Sequence, residues 1–91
     1  MIKKPCAFII RMEQPLLTCA RILGVLSERS IQVSTMNLHI ISPDDGLLII
    51  HCLMENDRMR SMKHFLEKYK GVAELELLSG RNSYLFKETA S

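Results

Sequence analysis

Ninety-one residues with a formal net charge of +2 and 47% hydrophobic side chains suffice for one small core and exclude a second. Acids and bases are interleaved, so the chain lacks the one-signed field expected of a partner for nucleic acid or an anionic membrane. A domain this small buries only about 60–70% of the surface its unfolded chain exposes, so so large an apolar share points to self-association.

The first ten residues carry two lysines and a short apolar run, without the apolar length or the small-residue cleavage site of a signal peptide. No apolar run approaches the roughly 20 residues needed to span a bilayer. The expectation is a cytoplasmic protein. Its cysteines, Cys6, Cys19 and Cys52, form no C-x-x-C pair, which removes the zinc-knuckle and dithiol readings and leaves them as small core hydrophobes.

Residues 6–12 read as a strand, because Cys6, Phe8, Ile10 and Met12 share one parity. Pro15 ends it and suits the first turn of a helix. That helix is predicted over residues 16–29, with Leu16, Cys19, Ala20, Ile22, Leu23 and Leu26 on its buried face. Residues 31–41 form a second strand whose apolar parity switches between Val33 and Met36, so a bulge is expected near Ser34-Thr35.

The run Ser42-Pro43-Asp44-Asp45-Gly46 signals a hairpin turn, with Gly46 free to take a positive φ. Residues 47–54 follow as a strand apolar on both parities, which suits a central strand. A second helix is predicted over residues 58–69, capped by Asn56 or Asp57, with Met59, Met62, Phe65, Leu66 and Tyr69 buried. Lys68, Lys70 and Gly71 supply a basic last turn and a stop. Residues 72–78 alternate Ala73, Leu75 and Leu77 against Glu74 and Glu76 and make the last strand. The division is a domain over 1–78 and a tail over 79–91, with Tyr84-Leu85-Phe86 as a docking segment.

The order β-α-β-β-α-β, with right-handed crossovers, places two helices on one face of a four-stranded antiparallel sheet. That is a ferredoxin-like α+β sandwich. Several functions of this fold lack their residues here. RNA recognition needs exposed aromatics on the third strand, and residues 47–54 contain none. A metal-transfer domain needs C-x-x-C before the first helix, where this chain has Glu13-Gln14-Pro15. An acylphosphatase-like phosphate loop needs glycines, which leaves only Arg21 and Asn37 as weak support.

If Ser42 pairs with Leu47, His39 and His51 fall within about one step of each other on adjacent strands. Two histidines without a third ligand make a poor zinc site, so polar residues on a sheet face are the plainer reading. His64 and the cations Arg58, Arg60, Lys63 and Lys68 read as the solvated face of the second helix, or as a surface for an acidic partner. No nucleophile–base pair stands out. The expectation is a non-enzyme with no cofactor and no metal.

Residues 12–38 carry a resemblance. Ala20-Arg21-Ile22-Leu23-Gly24-Val25-Leu26-Ser27, followed by Arg29-Ser30-Ile31-Gln32-Val33-Ser34-Thr35-Met36-Asn37-Leu38, looks like the first half of an ACT domain. More closely, it resembles the short, single-domain regulatory small subunits of acetohydroxyacid synthase (acetolactate synthase), over about residues 7–78. The resemblance implies a dimer or higher homo-oligomer of ACT domains. It also implies docking on the thiamine-diphosphate-dependent catalytic subunit and feedback by an amino acid, usually valine, bound at the ACT–ACT interface.

In that family an asparagine and, three residues later, a glycine precede the first helix, and a second asparagine opens strand two of the partner. By family position the effector-binding residues are Gln14, Leu17, Thr18 and Gln32. Gln14 stands at the first asparagine, Leu17 at the glycine, Gln32 at the second asparagine, and Ser30 where a glycine usually precedes the strand. These replacements imply an altered or lost valine site on a subunit that activates its catalytic partner. The alternative is a stand-alone ACT domain that binds an amino acid or other small molecule and regulates another protein.

Overall fold

The structure, a computed structural model, describes residues 2–80. The Tyr84-Leu85-Phe86 segment lies outside the described residues. The elements run β1 (Lys4–Met12), α1 (Pro15–Glu28), β2 (Gln32–Ser42), β3 (Asp45–Met54), α2 (Asn56–Glu67) and β4 (Val72–Ser79). They form a four-stranded antiparallel sheet of order β2-β3-β1-β4, the expected ferredoxin-like sandwich.

Period-two alternation sorts the sheet into two faces. Cys6, Phe8, Ile10 and Met12 of β1 and Leu48, Ile50, Cys52 and Met54 of β3 are buried. They form one core with Cys19, Ile22 and Leu26 of α1 and Met59, Met62 and Leu66 of α2. Burial of such side chains contributes about 1.5–3 kcal/mol each. The opposite parity, including Ala7, Ile9, Ile49 and Leu53, makes the open face. The parity switch in β2 is a bulge: Val33 pairs with Cys52 and Thr35 with His51, leaving Ser34 out of register.

The helix α1 ends in a Schellman arrangement. Ser30 donates to the Ser27 carbonyl at 3.1 Å and Ile31 to that of Leu26 at 3.0 Å, with Ser30 left-handed at φ 54°. Arg29, the C-cap, lays its guanidinium over the Phe65 ring of α2, and Arg58 donates to its carbonyl.

Several expectations are corrected. Leu16 and Leu23 are 70% and 40% exposed, because α1 turns Pro15, Thr18, Cys19, Ile22 and Leu26 to the sheet instead. Ala20 is exposed as well. The N-cap of α2 is Glu55, in extended backbone, and Asp57 sits in the first turn, where its charge opposes the helix dipole. Gly46 takes no positive φ. Its lack of a side chain lets Pro15 pack down, since a Cβ there would lie 2.5 Å from that of Pro15.

Candidate functional site

Four chain segments meet at one end of the sheet: the β1–α1 loop, the start of α1, the β2–β3 turn and the α2–β4 turn. The loop is built by backbone bonds. Glu13 donates to the Gly71 carbonyl at 2.8 Å and Thr18 to that of Gln14 at 2.9 Å. The Thr18 hydroxyl donates to the Glu13 carbonyl at 2.6 Å. Thr18 is buried, so its hydroxyl is committed to holding the loop.

Gln14 is the N-cap of α1 and is left-handed, φ 46° and ψ 64°, with no side-chain cap bond. A glutamine there costs on the order of 1 kcal/mol, a strain that concentrates at ligand-clamping turns. Pro15 carries no N–H, no acidic residue lies in the first turn, and the first N–H groups of α1 are left without helical acceptors. No first-turn carboxylate of α1 therefore compensates the positive end of the helix dipole.

Gln14 divides two hollows. The polar one, about 270 Å³, is lined by Glu13, Gln14, Thr18, Arg21, Asp44, Lys70 and Gly71. It offers two cations and two carboxylates, a set that suits a small zwitterion. The apolar one, about 390 Å³, is lined by Gln14, Pro15, Leu16, Leu17, Ile40 and Pro43. Leu17, one of its lining residues, is 46% exposed.

Gln32 lies elsewhere. It pairs with Leu53, at the edge of the sheet where Pro5 lies, whereas Ile40 pairs with Gly46 next to Met12. Eight strand residues, about 25 Å, separate Gln32 from the Gln14 end, and its side chain accepts a long bond from Lys3 Nζ at 3.4 Å. One chain brings Gln14, Leu17 and Thr18 together and leaves Gln32 apart.

The other candidates also separate. The hairpin closes on Ser42 paired with Asp45, not Leu47, with a bulge at Ile41. His39 consequently faces Leu47 while His51 faces Thr35, four residues further along β3, and His51 Nδ1 lies 3.0 Å from Thr35 Oγ1. Among the described residues no three metal-binding side chains cluster. Asn37 lies on the open face opposite Ile49 and Arg21 on the helix layer, so the acylphosphatase pair is not assembled. On α2, Arg60 and Lys63 meet Asp57 and Glu67, both at 3.8 Å, which is the behaviour of a solvated face.

The structure is similar to the crystal structure of the ACT domain from GTP pyrophosphokinase of Chlorobium tepidum, with TM-score 0.73, 21% identity, and 84% of this chain and 99% of that one covered. The chain has the ACT-domain fold. Similar too are the C-terminal domain of the MgtC protein from Mycobacterium tuberculosis (TM-score 0.67, 16% identity, 90% and 92% covered) and an uncharacterised protein from Thermotoga maritima (0.70, 13%, 85% and 96%). At these identities the likeness is one of fold. No protein-family model and no curated protein matches the chain. No helix among the described residues is long and apolar enough to cross a membrane.

The sequence reading did not gather Glu13, Asp44 and Lys70 into the site. The basic run before Gly71 was visible only as a helix stop. That it returns to the β1–α1 loop follows from the α2–β4 turn meeting Glu13, a long-range contact with no local signature.

Proposed function

We propose that this ACT domain is a non-catalytic regulatory subunit of acetohydroxyacid synthase that activates the catalytic subunit and has an altered or lost valine site. The resemblance of residues 12–38 supplies the assignment. The observation that supports the altered site is the β1–α1 loop, where a left-handed turn and a helix end without a side-chain cap stand beside an apolar hollow that Leu17 helps to line.

The subunit dimerises along α1 and the free edge of β2. There Leu16, Leu23, Ile40 and Ile41 expose apolar surface and β2 has no outer neighbour among the described residues. A second copy set against this edge would bring another Gln32 into play. Activation is differential binding: the dimer favours the catalytic subunit's active arrangement by contacting it more extensively than the inactive one.

The test is acetolactate formation by the catalytic subunit of the same organism, with and without this chain and with added valine. A rise in rate that valine leaves untouched is expected. A rise that valine reverses would show that Leu17 does not close the site, and an unchanged rate would end the synthase assignment. The polar hollow, with Arg21 and Lys70 facing Glu13 and Asp44, favours a second reading, a stand-alone sensor of a small zwitterion. Under that reading an amino acid binds the isolated protein and the synthase rate is unaffected.

A further inference from the structure

Cys6 of β1 and Cys52 of β3 are directly opposed in the antiparallel ladder. Both belong to the core between the sheet and the helices, so their side chains leave the sheet on the same face, and a hydrogen bond joins the two thiols. Opposed residues in such a ladder have Cα atoms about 4.5–5.5 Å apart, inside the span of roughly 4.4–6.8 Å that a disulfide bridges. Two thiols held this way can join without backbone movement. No C-x-x-C spacing announces the pair; the strand register makes it. We propose that Cys6 and Cys52 are a redox-sensitive dithiol that closes to an intrachain disulfide by exchange with a small-molecule disulfide, stapling β1 to β3.

The pair sits near one end of the sheet. Lys4, the first residue of β1, pairs with Met54, the last of β3, two positions beyond the cysteines. On the other side of β3, Cys52 pairs with Val33, next to the bulge that leaves Ser34 out of register. Strand ends and interrupted ladders open at a far lower free energy than a whole domain, so a reagent meets both thiols without global unfolding. Cys19 is placed differently. It lies in the second turn of α1, towards the Gln14 end, whereas Cys6 lies six residues along β1 from Met12, about 20 Å.

The hydrogen bond from Cys52 lowers the Cys6 thiol, so the Cys6 thiolate attacks first. It displaces one thiolate from the small disulfide and forms a mixed disulfide. Cys52 then gives up its proton, and its thiolate attacks the Cys6 sulfur and expels the second small thiolate. Two protein thiols are oxidised and one small disulfide is reduced to two thiols, which take up the two protons released. The closed loop contains α1 and β2, and a loop of that length strongly restricts the unfolded chain.

The experiment incubates the folded full-length chain with oxidised glutathione at about pH 8 and digests it with trypsin without reduction. Cleavage after Arg11, Arg21, Arg29 and Arg58 leaves each cysteine in its own peptide, so the linkage is read by mass. A Cys6–Cys52 link with Cys19 free is expected, and the urea midpoint of the product should rise by about 1–2 M. Cys19→Ala should close equally well, and Cys6→Ala should show no such rise. A link through Cys19, glutathione adducts without closure, no link unless the chain is first unfolded in urea, or a rise in Cys6→Ala would each overturn the proposal.

Discussion

Gly71 lies flat against the side chain of Thr18: a Cβ at position 71 would sit 2.5 Å from Thr18 Oγ1. Thr18 cannot give way, because it is buried and its hydroxyl is bound to Glu13. Gly71 also has φ 97°, so Gly71→Ala combines backbone strain with overpacking and should cost on the order of 2–4 kcal/mol. Thr18→Val keeps the shape and removes one bond, at about 1–2 kcal/mol. Urea unfolding of both variants measures this. Equal, small effects would show that the two turns are not braced against each other.

Ser30 explains a family feature in physical terms. The resemblance places a glycine there, and the chain takes φ 54° at that position to close the Schellman turn. Ser30→Gly should therefore stabilise the fold by about 0.5–1 kcal/mol even though glycine loses more entropy on folding. A thermal midpoint raised by a few degrees is the expected outcome. A lowered midpoint would mean that the serine side chain makes a stabilising contact outweighing the strain.

Gly24 sits inside α1 with nothing within 4 Å of where its Cβ would be. A glycine at such a position costs about 1 kcal/mol relative to alanine, so the chain on its own would be better served by alanine. Gly24 shares an exposed side of the helix with Ala20 and Leu23, and under the proposed dimerisation along α1 a close helix approach from another copy would account for it. Gly24→Ala should raise the unfolding free energy of the dilute monomer by about 0.5–1 kcal/mol and weaken dimerisation in sedimentation equilibrium. Stabilisation with unchanged dimerisation would move the interface off this part of α1.

The layout of the sandwich was legible because every element but β2 keeps one period throughout. Even the β2 bulge was visible, since Val33 and Met36 cannot face one core without an extra residue between them. What failed depended on choices that periodicity does not make. Leu16 and Leu23 have the spacing of core residues, and apolar spacing does not distinguish a core face from a face left for another chain. The displacement of His39 from His51 turns on one bulged residue, Ile41, in a hairpin whose sequence is silent about register. Within the candidate site, the left-handed turn at Gln14 had no signal, because glutamine has no preference for that conformation. Arg21 and Lys70 are drawn to one hollow only by tertiary contact.

The buried thiols make stability sensitive to alkaline pH. The hydrogen bond with Cys6, its directly opposed partner across β1 and β3, and then burial push the Cys52 thiol up; burial alone pushes up that of Cys19. At Cys52 and Cys19 the folded chain thus keeps protons that the unfolded chain releases near pH 8.5, while the same hydrogen bond lowers the Cys6 thiol and offsets part of this. Stability from these groups is fully present below that pH and is lost as the pH rises towards the folded values. Chemical denaturation should give a level unfolding free energy from about pH 6.5 to 8 and a decline above about pH 8.5. The decline should flatten in the double variant Cys19→Ala with Cys52→Ala. An unaltered decline would assign it to other groups.

The proposed function makes Leu17 decide whether the uncapped end of α1 is usable. A carboxylate is stabilised at a helix N-terminus by free N–H groups and the dipole, and under the proposed function the isobutyl group of Leu17 stands in the way of that approach. Leu17→Gly clears it for at most about 1 kcal/mol of helix propensity, a small loss at a half-exposed position. Valine titrated into the full-length variant should then shift the amide resonances of residues 16–18, while the same titration of the wild-type chain leaves them in place. Equal shifts in both would mean that Leu17 yields to the ligand. Shifts in neither would mean that the helix end needs Gln32 of a second copy, and mixing in a variant with Gln32→Ala would then change nothing.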